Sequence, residues 1–135
     1  MKQTILILGL LTSSLAFADP IDGYLQMLKE EVQRADPSFK EFSAQRGEKI
    51  FFSKQIGKRG KEVSCASCHT NDLKQPGENI FTGKKLEPLS PAVNPKRLSD
   101  LKKVKKWLRR NFKDVYKREG TARGKGDVLT FIKSH

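Results

Sequence analysis

Apolar residues recur at three- and four-residue steps in four stretches of the chain, and each stretch predicts an amphipathic helix. The first stretch spans residues 21–32. The second runs from about residue 37 to 53, with Asp36 as its N-cap and Pro37 at its first helical position. Both predicted helices carry charged residues on the side opposite their apolar positions.

The third stretch has the most regular pattern of the four. It begins at Ser99 or Asp100 and ends at Gly120, and its outer positions are almost all Lys or Arg. After a turn at residues 121–126, Asp127 opens the fourth predicted helix. The pattern as a whole therefore predicts an all-α domain.

Two segments lack helical periodicity. Residues 54–61 form a basic loop, and residues 70–99 are rich in Gly and Pro, so little regular structure is expected in either. An irregular loop as long as the second is unusual in a compact domain unless it encloses another body. The apolar residues that could line such a body are Leu73, Ile80, Phe81, Leu86, Leu89 and Val93.

Between the two segments lies Cys65-Ala66-Ser67-Cys68-His69, which is the C-x-x-C-H attachment signal for a c-type haem. Thiols three positions apart lie about one helical turn from each other, so both can add to the vinyl groups of one porphyrin. His69 then presents a ring nitrogen to the iron as the proximal ligand. We therefore predict one covalently attached haem c, enclosed by the loop of residues 70–99.

Three other interpretations of the cysteine pair are a zinc site, a redox dithiol and a structural disulfide. Zinc requires further ligands, but the chain has no other Cys, and its only other His is His135. A thioredoxin-like dithiol would follow a strand and would not be followed by His. The pattern favours haem.

The N-terminal segment is typical of a secretory signal peptide. Lys2 precedes a short apolar run at residues 5–11, and Ala16-Phe17-Ala18 is a small-x-small cleavage site. Cleavage after Ala18 would leave a monohaem cytochrome c domain at residues 19–135. The apolar run is much shorter than the roughly 20 residues that a membrane span requires, so we expect export to the periplasm without a membrane span.

The charge balance is strongly basic. The chain carries 27 Lys and Arg residues against 15 Asp and Glu, a formal net charge of +12, and removal of Lys2 with the signal peptide leaves +11. Such a balance indicates an acidic partner or an anionic surface. Nucleic acid is the usual partner of a basic domain, but export argues against it. The cationic side of the third helix is either a solvated face or a docking patch for an acidic redox partner.

The second axial ligand of the iron is not obvious. Electron-transfer cytochromes c commonly use a Met downstream of the haem motif, and this chain has none there. The side chains that remain, besides an open site, are Met27 upstream, Lys84 and Lys85 in the loop, the terminal His135, which is expected to be mobile, and Asn111.

Asn111 stands on the apolar side of the third predicted helix, in step with Leu101, Val104, Leu108 and Val115. A buried amide must find a partner. That partner is either the haem iron or, as is common for Asn near a helix end, the local backbone. Periodicity alone leaves both interpretations open and favours the second.

The chain resembles the high-spin cytochromes c known as sphaeroides haem protein, and the related cytochrome c double-prime (cytochrome c''). The resemblance covers most of residues 19–135 and implies a small, class I-like cytochrome c fold wrapped around one haem. Its segments are residues 65–69, 82–85, 87–91, 94–100, 103–111 and 124–129. The segment Arg46-Gly47-Glu48-Lys49-Ile50-Phe51 also resembles the N-terminal helix of small cytochromes c, where a Gly permits close crossing of the last helix.

The resemblance implies that Asn111 is the distal iron ligand through its amide oxygen, since the sphaeroides-type proteins carry Asn at this place and cytochrome c'' carries His. One departure concerns a disulfide that these families usually place after the ligand. Phe112 and Gly120 stand at its two positions here, so we expect ligand switching to differ.

The resemblance further implies a periplasmic electron-transfer protein in which reduction releases Asn111 and ferrous haem binds oxygen or nitric oxide. The implied donor is a dihaem cytochrome c or a membrane cytochrome b. Two alternatives are an enzyme such as a nitric oxide dioxygenase, and a six-coordinate electron carrier that uses His135 or a lysine. A peroxidase is disfavoured because it would need a distal His and Arg pair.

Overall fold

The computed structural model describes residues 19–135, so the expected signal peptide at residues 1–18 lies outside the described part of the chain. The helices of this part are α1 (Pro20–Ala35), α2 (Ala44–Phe52), α3 (Ala66–His69), α4 (Leu101–Tyr116) and α5 (Ala122–Lys133). Two hairpins pair β1 (Gln55–Ile56) with β2 (Glu62–Val63), around a 3-10 turn at Lys58–Gly60, and β3 (Gly77–Glu78) with β4 (Lys85–Leu86). The predicted all-α class is confirmed.

The second hairpin falls in a segment that was expected to be irregular, and the first begins in the other such segment and ends just after it. They are antiparallel, with Gln55 opposite Val63 in the first and Gly77 opposite Leu86 in the second. Each strand has only two residues, which is too short to be stable alone or to leave an alternating pattern in the sequence. The hairpins therefore stabilise the two loops by short antiparallel pairings.

The hydrophobic core lies between α1, α2, α4 and α5, and the loop after α3 contributes one residue to it. Its buried members are Tyr24, Leu28, Phe51, Leu73, Leu108, Phe112, Val128, Leu129, Phe131 and Ile132. No helix among residues 19–135 has the length and apolar character needed to cross a membrane.

The crossing of α2 and α5 centres on Gly47. A Cβ at Gly47 would overlap the Asp127 carbonyl oxygen and would lie 2.8 Å from the Phe131 Cβ, so only glycine permits this approach of two backbones. One turn further along α2, Phe51 is 1% exposed, and its ring centroid lies 5.4 Å from that of Phe131. The predicted crossing of the Gly47 helix by the last helix is confirmed.

The predicted start of the last helix at Asp127 is wrong. Thr121 caps α5, accepting a hydrogen bond from the Gly124 amide, so the expected turn at residues 121–126 is helical. Gly126 suggested a turn, but a Cβ there would overlap the Phe42 ring, so packing explains this glycine. Asp127 instead lies within the helix, 2% exposed, and its carboxylate pairs with Arg46 at 2.9 Å.

The predicted start of the second helix at Pro37 is also wrong. The Asp36 carboxylate accepts hydrogen bonds from the amide and hydroxyl of Ser38, which turns the chain after α1. The side chain of Ser43 caps α2, accepting from the Arg46 amide, and the Ser43 amide itself donates to Asp127 at 2.8 Å. The hydrogen bond from Ser43 to Asp127 of α5 thus fixes the start of α2, and the two residues are 84 positions apart in the chain.

The basic helix begins where the sequence indicated, since the Asp100 carboxylate caps α4 by accepting from the Lys103 amide at 3.0 Å. It ends at Tyr116, before the expected stop at Gly120. Lys117 adopts the left-handed conformation, with φ of 55°, and closes the helix through its amide. Gly120 has a packing role that is described below.

Replacing Gly47 with Ala should destabilise the fold, because the new methyl group meets backbone that cannot withdraw without separating α2 from α5. We expect a loss of roughly 1–3 kcal/mol in the free energy of unfolding. The matched control is Gly23→Ala in α1, where nothing lies within 4 Å of the added Cβ, so up to about 1 kcal/mol of stabilisation is expected. Urea denaturation of both holoproteins measures the difference, and equal midpoints would contradict the close crossing.

Candidate haem site

The C-x-x-C-H motif forms one helical turn. The amides of Cys68 and His69 both donate to the Cys65 carbonyl, at 3.2 and 3.1 Å, which winds the motif into α3. Thr70 ends the turn with φ of 64°. The predicted separation of the two cysteines by about one helical turn is therefore present, and His69 follows directly from the same turn.

The chain packs closely around this turn. The Ser64 amide donates to the Ser67 hydroxyl at 2.9 Å, which ties the start of the motif to its centre. On the other side β3 runs against α3, so that a Cβ at Gly77 would overlap the Cys68 carbonyl oxygen. The motif is thus held by the chain before it and by the hairpin after it.

No disulfide joins Cys65 and Cys68, and both are half-buried. Burial, followed by the proximity of Cys68, raises the pKa of the Cys65 thiol to about 12. A redox dithiol works with a lowered thiol pKa, so this environment is opposite to the one such a motif requires. A zinc site fares no better, because residues 19–135 contain no cluster of three or more His, Cys, Asp or Glu placed to hold a metal ion. The donor set fits thioether attachment instead.

His69 is held as a neutral imidazole. Burial, with a smaller effect from the Arg97 charge, lowers the pKa of His69 to about 4. The neutral ring is the form that ligates iron. Its nearest aromatic neighbour is Phe51, with ring centroids 6.4 Å apart. Because Phe51 packs on Phe131 of α5, the crossing of α2 and α5 supports the imidazole.

Arg97 is a residue near the site that sequence reasoning did not single out. Its guanidinium donates to the carbonyl oxygens of Pro88 and Glu87, at 2.8 and 2.7 Å, which holds the end of the loop against its middle. These are contacts between loop residues with no periodic pattern. No signal in the sequence marks them.

The loop after His69 folds back upon itself. The Leu73 carbonyl accepts from the amides of both Leu89 and Ser90 at 2.9 Å, and Leu73 is buried in the core. Among the other side chains expected to line the enclosed body, Phe81, Leu86 and Leu89 are half-buried, whereas Ile80 and Val93 are exposed.

Asn111 lies on α4 between the core residues Leu108 and Phe112, and Cys65 packs against the same core cluster. Asn111 is half-buried, and no other residue within 19–135 makes a hydrogen bond to its side-chain amide. The local backbone bond that was the alternative explanation for this Asn is therefore not formed among the described residues. The amide remains available to another partner.

His135, expected to be mobile, is instead tied to the end of α5. Its Nδ1 lies 2.9 Å from the Phe131 carbonyl oxygen, its ring centroid lies 4.5 Å from that of Phe131, and its carbonyl accepts from the buried Ser90 hydroxyl. Phe131 in turn packs on Phe51, the neighbour of His69. These contacts place His135 beyond the aromatic pair that supports His69.

The remaining candidate ligands are exposed side chains. Met27 is 57% exposed on α1. In the loop, Lys84 is exposed, and the Lys85 ammonium forms an ion pair with Glu78 across the second hairpin. Asn111 is therefore the candidate that combines partial burial with an unpartnered donor atom.

Comparison with known proteins gives consistent matches. Residues 37–132 match the family described as Domain of unknown function (DUF1924). Cytochrome c'' of Methylophilus methylotrophus is 34% identical over 134 residues, covering 97% of this chain and 92% of that protein. The chain belongs to the cytochrome c'' and SHP family. The cytochrome c-type protein SHP of Cereibacter sphaeroides is 38% identical over 89 residues, covering 66% of this chain and 68% of that protein.

Solved structures of the cytochrome c'' and SHP family have the same fold. Oxidized cytochrome c'' from Methylophilus methylotrophus matches with a TM-score of 0.75 at 30% identity, over 84% of this chain and 93% of that chain. Oxidized SHP, described as an oxygen binding cytochrome c, matches with a TM-score of 0.69 at 32% identity, over 82% and 96%. The expected cytochrome c-like fold is confirmed, and haem c is the cofactor.

Covalent attachment through both cysteines can be tested directly. Cys65→Ser/Cys68→Ser removes both thiols, so haem should separate from the denatured chain, whereas it should remain with the denatured wild-type chain. Haem staining after denaturing electrophoresis measures this. Ser67→Ala, which alters the motif without touching a thiol, is the control and should retain haem. Retention by the double variant would contradict attachment at these residues.

Proposed function

We propose that this protein is an exported electron-transfer haem protein that opens one face of its haem on reduction and there binds a diatomic gas, oxygen or nitric oxide. Cys65 and Cys68 hold the haem through thioethers, His69 is the proximal iron ligand, and Asn111 is the distal ligand. The haem supplies one-electron chemistry and an iron site for the gas.

The observation that carries the proposal is the unpartnered amide of Asn111. No buried side-chain nitrogen or oxygen among residues 19–135 lacks a hydrogen-bond partner, so the amide atoms of half-buried Asn111 are accessible and free to bind a ligand. No described residue supplies a hydrogen bond. The relative SHP, described as an oxygen binding cytochrome c, supports a gas as the molecule that replaces Asn111.

An amide oxygen is a hard donor that suits ferric iron better than ferrous iron. With haem bound, Asn111 would hold ferric iron more firmly than ferrous iron, so that reduction would free its side chain. The freed amide NH2 group can then donate a hydrogen bond to a gas molecule bound nearby. Asn111 would thus be the one residue that closes the site in the ferric state and opens it in the ferrous state.

The electron donor, we propose, is an acidic redox protein that docks on the outer face of α4. Two lysines of this helix form ion pairs, Lys103 with Asp100 at 3.6 Å and Lys113 with Glu119 at 3.1 Å. The other cations of α4 have no carboxylate partner among residues 19–135; they are Lys102, Lys105, Lys106, Arg109 and Arg110. Unpaired charge of one sign steers and orients a partner of the opposite sign.

Replacing Asn111 with Val should change the ferric absorption spectrum, since a side chain without a donor atom leaves the distal position to water or to no ligand. The ferrous protein should still give a carbon monoxide difference spectrum, because Asn111 is released in that state. Asn71→Val, at an exposed position, is the matched control and should leave both spectra unchanged. A ferric spectrum of Asn111→Val identical to wild type would refute the ligand assignment.

Charge reversal on α4 tests the docking face with a defined probe, the dianionic reductant iron(II)-EDTA. Lys106→Glu/Arg110→Glu should slow reduction by this probe about tenfold at low salt, with little effect at high salt, where charges are screened. Stopped-flow absorption measures the rate.

The control for this reversal, Lys40→Glu/Lys49→Glu, makes the same change in net charge at two exposed lysines outside α4. Equal slowing in the two double variants would show that net charge, and not the α4 face, attracts the donor.

A further inference from the structure

Asn111 is followed in α4 by a tightly packed residue. Phe112 is 6% exposed, and its ring centroid lies 5.6 Å from that of Tyr116 on the next turn. The ring is seated where the chain turns from α4 into α5. A Cβ at Gly120 would lie 2.7 to 2.9 Å from three of its ring carbons, and a Cβ at Gly124 would lie 3.7 Å from its Cζ. Two glycines thus form a socket for Phe112.

The need for glycine at position 120 comes from packing against the Phe112 ring and not from backbone conformation. Gly120 is buried and does not adopt a positive φ, so its backbone would tolerate a side chain. The Phe112 ring is what leaves no room. The two positions where the related cytochromes were expected to carry a disulfide, Phe112 and Gly120, are therefore still in contact in this chain.

Further contacts fix the same end of α4. The Tyr116 hydroxyl donates to the Ile50 carbonyl of α2 at 2.6 Å, and Lys58 pairs with Asp114 at 3.2 Å. A Cβ at Gly57 would overlap the Asp114 carbonyl oxygen, so the first hairpin also lies directly against this end of the helix. Every residue of this group stands C-terminal to Asn111 in α4 or contacts one that does.

The part of α4 before Asn111 is held less firmly. Leu108 is buried there, but Leu101 and Val104 are only half-buried, and the remaining positions are exposed. Lys105 makes one contact outside the helix, over the Tyr24 ring at 4.8 Å. Asn111 therefore lies at the boundary between a lightly held segment and an anchored one.

We propose that the Phe112 socket fixes the backbone of Asn111, so that the amide leaves and rejoins the iron by side-chain rotation while α4 stays in place. Phe112 and Gly120 are then positioning residues that set how well Asn111 competes with an external ligand. This inference rests on the proposed role of Asn111 as the distal ligand.

Gly120→Ala tests the socket, because the added methyl group displaces the Phe112 ring and with it the adjoining Asn111. The readout is cyanide affinity of the ferric holoprotein, since cyanide must displace Asn111. We expect Gly120→Ala to bind cyanide about tenfold more tightly than wild type, and Gly23→Ala to match wild type. If Gly120→Ala does not fold, Phe112→Leu, which leaves the socket partly empty, takes its place with the same expectation.

A double-mutant cycle with Asn111→Val separates the possible outcomes. In the Asn111→Val background, which has no internal ligand to misplace, Gly120→Ala should leave cyanide affinity unchanged. An equal gain in both backgrounds would mean general loosening and would overturn the inference. The inference would also be overturned if Gly120→Ala did not change cyanide affinity while Asn111→Val alone raised it. No effect of Asn111→Val itself would instead refute the proposed ligand.

Discussion

The close crossing of α2 and α5 at Gly47 is the constraint on which the rest of the structure depends. Because the two backbones touch there, Phe51 and Phe131 pack against each other one helical turn from the crossing, and His69 lies beside Phe51. The same contact brings Asp127 to the start of α2, where its carboxylate binds Arg46 and the Ser43 amide. The absence of a side chain at Gly47 thereby determines where the imidazole of His69, the proposed iron ligand, is supported.

Much of this arrangement could be predicted because it is local. The C-x-x-C-H motif needs only one helical turn to bring its groups together, and one turn is what the chain forms. The periodic patterns of α1 and α4 are long enough to identify both helices, and Asp100 marks the beginning of α4. Gly47, followed by Phe51 one turn later, is a weak signal alone; it indicated the crossing through the resemblance to the N-terminal helix of small cytochromes c and its place just before the C-x-x-C-H motif.

The parts that could not be predicted depend on contacts between distant residues. Gly126 suggested a turn, since nothing near it in sequence reveals the Phe42 ring that needs its space. Asp127 looked like a helix cap until the fold supplied Arg46 as its partner, 81 positions away. The same holds for Phe112 and Gly120, where the sequence showed only two absent cysteines, and for Arg97, whose guanidinium binds carbonyl groups of the loop.

The charge on α4 connects its stability to its use. Like charges at i and i+4, such as Lys102 with Lys106 and Lys106 with Arg110, destabilise a helix by a few tenths of a kcal/mol per pair. Burial of Leu108, Phe112 and Val115 offsets this cost, because each fully buried side chain contributes about 1.5–3 kcal/mol. The buried side of α4 thus stabilises the helix enough to offset the repulsion among the Lys and Arg residues on its exposed side. An acidic partner of the kind proposed above would relieve that repulsion.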